Sequence, residues 1–286
     1  MQSYVIVTDS GSDLSKEELV GMDMDSADLT FSFEDTHEEF TNSTMPIEEF
    51  YSRMKNGMMP KTAAVSPDRF RMLFSKYLSK GLDILYIGLS SGLSSTFHNA
   101  VLAAEDLKKR FSDRKVVLLD SLTASLGEGM IAEKAGILKK AGASLKETYD
   151  RSMELVKSLR SILAVSDLSY VRRGGRISSL KALAGELMHI KPLMKVDEKG
   201  QIRYHSRAHS MKKIFGMMID DYEEHALSCD GPLYLSYSSE EYALEMTSLL
   251  KRKLGREFDR TGWIGPVIGC HSGPGGVAMF YPSKEF

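Results

Sequence analysis

The first half of the chain alternates short apolar runs with longer amphipathic segments. Tyr4–Thr8, Asp83–Leu89 and Lys115–Leu119 are rich in aliphatic and β-branched residues, and each is followed by a polar residue. Leu29–Phe33 is the best strand candidate in the weakly patterned segment that precedes Pro46. Because helical patterns separate the apolar runs, the chain is predicted to form a parallel sheet that is covered on both faces.

Helix signals occupy the segments between these strands. Ser15 and Glu18 form a capping-box pattern that predicts a short helix. Pro67 suits the first turn of a helix, so Lys61–Pro67 is predicted to be a loop that leads into it. The further helices predicted for the first half are Ile47–Met58, Pro67–Leu78, Thr96–Arg110, Gly127–Ala141 and Leu145–Leu159.

The pattern changes near residue 160. Asp197–Gly200 lies between two alternating runs and predicts a hairpin. The Asp167–Ile177 segment is basic and contains glycines, so we predict a loop there. The strands predicted for the second half are Ser161–Val165, Lys191–Val196, Gln201–His205, Leu233–Tyr237 and Val277–Tyr281. Its predicted helices are Leu180–Met188, Met211–His225 and Glu240–Leu254, and Gly262–Gly276 is a glycine-rich segment.

These patterns predict an α/β protein with two domains. We expect an N-terminal domain over residues 1–160, in which helices flank a parallel sheet, and a C-terminal α/β domain over residues 161–286. A chain of 286 residues is about right for two domains and can enclose a ligand cavity.

Composition narrows the classes of function. The formal net charge of −2 argues against a general nucleic-acid-binding protein. The two cysteines, Cys229 and Cys270, are far apart and suggest neither a disulfide framework nor a zinc site. Because no signal peptide or membrane-spanning run is visible, we expect a cytoplasmic protein without integral membrane association.

One motif suggests a serine hydrolase. Gly88–Gly92 fits the Gly-x-Ser-x-Gly nucleophile elbow between a strand and a helix. Asp120 and His271 follow in the chain order of α/β hydrolases, so Ser90, His271 and Asp120 could act as nucleophile, base and orienting residue. Two features weaken this hypothesis, because an oxyanion segment is missing upstream and extra residues precede the helix.

Other segments suggest an anion-binding site instead. Ser94 or Ser95 can cap the helix after Ser91–Thr96, and a helix N-terminus attracts carboxylate or phosphate groups. Thr62 and Ser66 also lie in a loop before a helix. The basic cluster Arg172–Arg176 could bind phosphate or could be a solvated loop. Taken singly, these features fit ordinary turn, cap and surface roles equally well.

Together, a series of short motifs resembles the DegV family nearly from end to end. The motifs are Thr8-Asp9-Ser10, Ser91-Gly92-Leu93-Ser94, Asp120-Ser121, Asp167-Leu168-Ser169-Tyr170, Arg172-Arg173-Gly174-Gly175-Arg176-Ile177, Ile190-Lys191-Pro192, and Ile264 to Gly275 with His271. This family includes the fatty-acid-binding subunits of bacterial fatty acid kinase. The resemblance implies two α/β domains with an acyl chain in a tunnel between them.

The resemblance also implies a site and a partner. It places the ligand carboxylate on Thr62, Ser94 and His271, in loops that include Ser66, Gly92, Ser95 and Gly273. The implied ligand is a long-chain fatty acid, and no cofactor or metal is implied. A separate ATP-dependent kinase would dock near Arg207 and phosphorylate the carboxylate for phospholipid synthesis. The protein would then present a substrate and would not be an enzyme by itself.

A third interpretation is a binding protein for another apolar carboxylate, without any kinase. The departures from the family pattern concern the head-group loops. Small apolar residues, Ala63, Ala64 and Val65, separate Thr62 from Ser66, where polar residues are usual. These changes affect ligand selectivity more than the expected fold.

Overall fold

The computed structural model describes residues 3–34, 38–177 and 190–284. Helices and strands follow one another along these ranges. The strands are β1 Tyr4–Asp9, β2 Met24–Ala27, β3 Thr30–Phe33, β4 Pro60–Ala63, β5 Asp83–Gly88, β6 Val116–Asp120, β7 Leu159–Val165, β8 Lys191–Val196, β9 Ile202–Ala208, β10 Tyr234–Tyr237, β11 Arg260–Trp263 and β12 Gly276–Pro282. The α-helices are α1 Lys16–Gly21, α2 Ile47–Lys55, α3 Pro67–Leu78, α4 Thr96–Lys108, α5 Leu126–Lys140, α6 Leu145–Ser158, α7 Leu168–Gly174, α8 Met211–His225, α9 Glu240–Leu254 and α10 Pro266–Ser272.

The first sheet is parallel and has the strand order β2, β1, β5, β6. Successive side chains of a strand point to opposite faces, so an apolar strand needs a cover on each side. Ile6 and Leu85 pack in one apolar cluster with residues of α5 and α6. Val7 and Tyr86 pack in another cluster with residues of α3 and α4. The predicted parallel sheet with helices on both faces is therefore confirmed.

The second sheet has the strand order β11, β10, β12, β7, β8, β9. Its pairs are antiparallel except for the parallel pair β10–β11. On β7, Ile162 and Ala164 pack in a cluster with α8 and α9, whereas Leu163 packs against the cluster that contains β1 and α5. The α/β fold class is confirmed, and the division into domains at residue 160 stays a prediction.

Helix α10 belongs to the second half of the sequence but packs into the core of the first half. Val267 and Cys270 lie in the same apolar cluster as Tyr51 of α2. A Cβ at Gly269 would lie 2.6 Å from the Tyr51 hydroxyl oxygen, so glycine permits this close approach. As a result, His271 in the last turn of α10 reaches loops of the first half.

Several short elements differ from the sequence predictions. The predicted loop Lys61–Pro67 begins inside β4, which pairs antiparallel with β3. The predicted loop Asp167–Ile177 contains α7, and the glycine-rich segment Gly262–Gly276 contains α10. Strand β2 was not predicted, because its four residues, MDSA, lack an apolar run. Elements this short depend on tertiary packing rather than on local pattern.

Two further points concern helices. The predicted helix Leu180–Met188 lies outside the described residues. Within the described ranges, every helix is too short or too polar to cross a lipid bilayer.

Candidate functional site

A mostly apolar cavity lies between loops of the first half and the inner face of the second sheet. Its volume is about 110 Å³, and one side of it opens to solvent. Its wall includes Leu29 and Leu89 from the first half and Leu163, Val277 and Phe280 from the second. A cavity with this lining suits a largely apolar ligand.

Two side chains that are 209 positions apart in sequence meet in this wall. Thr62 Oγ1 and His271 Nε2 lie 3.0 Å apart and share a hydrogen bond. Thr62 is on β4, opposite Phe31 of β3. Because α10 packs against both strands, its last turn places the imidazole beside the threonine.

Burial makes His271 a neutral imidazole at pH 7. Desolvation, reinforced by the positive charge of Arg176, lowers the pKa of His271 to about 4. Its Nδ1 is buried and has no hydrogen-bond partner among the described residues. Gly174 covers this nitrogen, since a Cβ at Gly174 would lie 2.5 Å from it. If the single ring proton is on Nε2, the ring donates to Thr62, and the threonine hydroxyl hydrogen remains available to a ligand.

Ser94 lines the same cavity from the turn before α4. Its Oγ accepts the Thr96 N–H at 3.2 Å and lies 2.9 Å from Thr96 Oγ1. Ser94 thus satisfies a free N–H group at the start of α4, whereas Ser95 makes no capping bond through its side chain. When the Thr96 hydroxyl donates to Ser94, the Ser94 hydroxyl hydrogen can point to a ligand.

The other four residues of the expected ligand loops lie beside the cavity rather than in its wall. Ser66 caps α3 through its hydroxyl group, and Ser95 precedes α4. Gly92 contacts the turn between β8 and β9 so closely that a Cβ would collide with backbone oxygens there. Gly273 follows α10 with a φ of 72°, a conformation that favours glycine. These contacts hold the neighbouring loops in place.

Arg176 is a residue of this site that sequence reasoning did not assign. It lines the cavity although its side chain is exposed. Its Nε donates to the Leu93 carbonyl oxygen at 3.2 Å, and its Nη1 donates to the Gly174 carbonyl oxygen at 2.7 Å. The basic cluster Arg172–Arg176 did indicate an anion site, but the sequence did not show which arginine would face the cavity.

The geometry does not support the serine hydrolase hypothesis. Ser90 is fully buried, and its hydroxyl group donates to the Gly200 carbonyl oxygen at 2.8 Å. Asp120 accepts hydrogen bonds from two backbone N–H groups of the neighbouring turns. Among the described residues, no hydrogen bond joins His271 to Ser90 or Asp120; His271 bonds to Thr62 instead. The motif therefore shapes a turn and does not assemble a catalytic triad.

A half-buried carboxyl group lies behind the cavity wall. Ser125 lines the cavity, and its hydroxyl donates to Asp13. Burial raises the pKa of Asp13 to about 7, against the lowering effect of that hydrogen bond. The residues that the structure describes contain no cluster of His, Cys, Asp or Glu side chains suited to a metal ion.

Arg207, the residue expected at a docking surface, lies away from the cavity wall. It is exposed on β9, the edge strand of the second sheet, opposite Pro192 of β8. A surface position of this kind can be reached by another protein, and the docking role of Arg207 stays a prediction.

Solved structures share this architecture over nearly the whole chain. A stearic acid-binding protein from Eubacterium ventriosum superposes with a TM-score of 0.87 at 22% identity, over 97% of this chain and 98% of that one. DegV from Bacillus subtilis, described as a fatty acid binding protein, has a TM-score of 0.81 at 26% identity. That match covers 99% of this chain and 100% of that one.

Sequence comparison leads to the same group of proteins. A DegV domain-containing protein of Clostridium perfringens is 31% identical over 284 residues, which are 98% of this chain and 98% of that protein. A family model described as "Uncharacterised protein, DegV family" matches residues 3–284. The chain therefore belongs to the DegV family.

Proposed function

We propose that this protein binds a long-chain fatty acid in the cavity and holds its carboxylate with Thr62, Ser94 and His271. One observation carries the proposal: three polar side chains from separate segments converge on one mostly apolar cavity. The description of the Bacillus subtilis relative as a fatty acid binding protein supports the same ligand class.

The head group of such a ligand needs hydrogen-bond donors, because burying an unpaired carboxylate is costly. Thr62 and Ser94 can each offer a hydroxyl hydrogen when His271 and Thr96 act as the donors in their bonds to these two residues. His271 is neutral, so its ring contributes hydrogen bonding rather than charge. Arg176 supplies the positive charge that offsets the carboxylate, and charged hydrogen bonds are stronger than neutral ones.

The apolar chain supplies most of the binding free energy. Each buried methylene group contributes about 0.8 kcal/mol, so a chain of about sixteen carbons gains on the order of 10 kcal/mol before the costs of ordering it. The head-group contacts then fix the orientation of the ligand. They keep the carboxylate at one end of the cavity, where another protein can reach it.

We further infer that a separate ATP-dependent kinase phosphorylates the bound carboxylate in the cytoplasm. In this proposal, Arg207 belongs to the docking surface, and the acyl phosphate feeds phospholipid synthesis. The protein itself presents the substrate and performs no bond chemistry. An enclosed cavity would also protect the reactive acyl phosphate from water.

Mass spectrometry of lipid extracted from natively purified protein tests the ligand assignment. We expect a long-chain fatty acid to co-purify in stoichiometric amount. Protein that carries no lipid, and takes up none from a mixture of fatty acids after delipidation, would contradict the proposal.

Substitution of the head-group residues tests their role. We expect Ser94→Ala or His271→Ala to lower phosphorylation by the kinase about tenfold or more. Ser94→Ala removes a hydrogen bond to the carboxylate, and His271→Ala removes the ring N–H that leaves the Thr62 hydroxyl hydrogen available to the ligand. Lipid retention should fall less, because it depends on the apolar chain. Ser91→Ala is a matched control, as Ser91 is an exposed serine of the same turn outside the cavity wall. Unchanged turnover of both variants would remove these residues from the site.

A further inference from the structure

Four hydroxyl-bearing residues lie in the cavity wall in addition to Thr62 and Ser94. One of them, Ser272, follows His271 at the end of α10 and so belongs to the head-group end. Thr123 and Ser125 come from the loop between β6 and α5, and Ser161 comes from β7. Ser125 is already engaged, because its hydroxyl donates to Asp13. Thr123 and Ser161 bond to each other across the two halves, with 2.8 Å between their hydroxyl oxygens.

This hydroxyl pair lies at a distance from the carboxylate end of the cavity. The Val165 end of β7 pairs with Gly276, and a Cβ at Gly276 would touch Ser272, the neighbour of His271. Ser161 lies four residues away along the strand, a span of about 13 Å at 3.3 Å per residue. Ser161 therefore faces a part of the ligand that lies beyond the end of the cavity where His271 is.

The surroundings of the pair are otherwise apolar. Ser161 shares one face of β7 with Leu163, and it pairs with Phe280 of β12. A Cβ at Gly127 would lie 2.6 Å from both the Phe280 ring and the Thr123 hydroxyl oxygen, which places these two groups side by side. Thr123 and Ser161 are 2% and 3% exposed, so bulk water does not solvate their hydroxyl groups.

One hydroxyl hydrogen of the pair has no acceptor among the described residues. Two hydroxyl groups carry two hydrogens, and their mutual bond uses one of them. Neither hydroxyl makes another hydrogen bond within the part of the chain that the structure describes. A buried hydroxyl hydrogen without an acceptor costs free energy. The existing bond is enough to link the two halves, but it leaves the second hydroxyl hydrogen without an acceptor in the described ranges.

We propose that Thr123 and Ser161 form a second polar subsite, which selects fatty acids that carry a hydroxyl group part-way along the chain. This inference rests on the proposed binding of a fatty acid in the cavity. The ligand hydroxyl accepts the remaining hydrogen of the pair and donates to one of its oxygens. A plain hydrocarbon chain leaves that hydrogen unmatched, so the two ligand classes are bound with different affinity.

Competition binding tests this selectivity on the full, delipidated chain. Labelled octadecanoic acid is displaced by unlabelled octadecanoic acid and by hydroxy derivatives substituted near the carboxyl end, in the middle or at the methyl end. We expect a mid-chain hydroxy acid to bind about fivefold more tightly than octadecanoic acid, which corresponds to one net hydrogen bond. The other isomers should bind no better than the plain acid.

Variants assign the effect to the pair. In Thr123→Val combined with Ser161→Ala, the preference should be lost or reversed, because the hydroxyl group then meets an apolar wall. Ser152→Ala is the control, since Ser152 is a buried serine of α6 outside the cavity wall, and it should keep the preference. If the double variant does not fold, the affinity of the parent chain for the mid-chain hydroxy acid relative to octadecanoic acid still shows whether the subsite exists.

The outcomes separate the two proposals. If octadecanoic acid binds and no hydroxy isomer binds more tightly, the subsite is wrong and the proposed function stands. The same holds if the double variant folds and keeps the preference. If neither octadecanoic acid nor any hydroxy isomer binds, the proposed function fails and the subsite fails with it.

Discussion

The environment of each side chain in the site sets its charge. Burial keeps His271 neutral at pH 7. Among the described residues that line the cavity, Arg176 is the one that carries a full positive charge. Thr62 and Ser94 add hydroxyl groups but no charge. The described residues of the cavity wall therefore combine one cation with several neutral donors, which is the arrangement that the proposed carboxylate ligand requires.

The buried imidazole predicts a specific effect of pH on stability. The pKa of His271 falls from 6.5 to about 4 on folding, so between these values the unfolded state binds more protons than the folded state. The contribution of His271 to the free energy of unfolding should therefore decrease by about 3 kcal/mol as the pH falls through this window. Urea unfolding of the parent and His271→Gln between pH 4 and pH 6.5 measures this difference.

Asp13 provides a control, because its effect on the free energy of unfolding changes with pH in the opposite direction. Because its pKa is raised from 3.8 to about 7 on folding, the folded state binds more protons in that range, and stability from Asp13 increases as the pH falls. The parent should therefore gain stability relative to Asp13→Asn on acidification, while it loses stability relative to His271→Gln. Parallel profiles for the parent and His271→Gln would contradict the assigned burial of the imidazole.

Short elements, rather than the long helices, hold the site together. Thr62 is on the four-residue strand β4, and His271 is on the seven-residue helix α10. Helix α7 closes the site from the other side, because its last residue, Gly174, covers His271 Nδ1. Such elements have little stability of their own, so contacts between them determine the geometry of the site.

Replacing Gly174 with alanine tests the contact between α7 and His271 of α10. We expect Gly174→Ala to displace the His271 ring, weaken fatty acid binding and lower stability by about 1–3 kcal/mol, since the new Cβ would overlap Nδ1. Gly216→Ala in α8 is the matched control. Nothing lies within 4 Å of its added Cβ, so it should raise stability by about 0.5–1 kcal/mol. Unfolding curves and fatty acid binding assays of both variants measure these effects. Equal stability and equal affinity of the two variants would contradict the prediction.

The edge strand β9 leads to a prediction about the partner. We expect Arg207→Ala to preserve lipid binding while slowing turnover by the kinase about tenfold, because a docking contact acts on the partner and not on the cavity. Arg151→Ala, an exposed arginine on α6, is the control. Kinase titrations with each lipid-loaded variant separate the two effects. Kinetics equal to those of the parent would exclude Arg207 from the docking surface.

At the scale of the whole molecule, the two halves share apolar clusters and one cavity. Val267 of α10 lies in the apolar cluster of the first half. Arg260 of β11 forms ion pairs with Glu18 of α1 and Glu133 of α5. The rings of Tyr51 and Trp263 stack at a centroid distance of 5.8 Å across the same junction. The halves therefore depend on each other for stability.

This dependence predicts a single unfolding transition. The protein has one tryptophan, and Trp263 fluorescence should change at the same temperature as the helical circular dichroism signal. A saturating fatty acid should raise the midpoint temperature of both signals together. At a free concentration of about 100 Kd, binding should increase the free energy of unfolding by about 2.7 kcal/mol. Two separate transitions, or a shift in only one signal, would show that the halves unfold independently.

The sequence predicted most of the long elements, because their signals are local. The predicted bounds of α3, Pro67–Leu78, are those of the structure, since Ser66 caps the helix and Pro67 suits its first turn. The resemblance to the DegV family also led to Thr62, Ser94 and His271, which line one cavity. Arg176 was not singled out, because the sequence cannot show which residue of a basic cluster faces inward.

The alternation of apolar runs and amphipathic segments was by itself sufficient to determine the parallel sheet and its two helical layers, since burial of apolar strands on both faces requires them. Only the tertiary structure decided that α10 packs into the apolar cluster of the first half. It also decided that the Ser90 hydroxyl bonds to the turn between β8 and β9, and that His271 bonds to Thr62. These outcomes depend on contacts between residues far apart in sequence. Local patterns do not record such contacts, because each short element becomes stable only when its neighbours are in place.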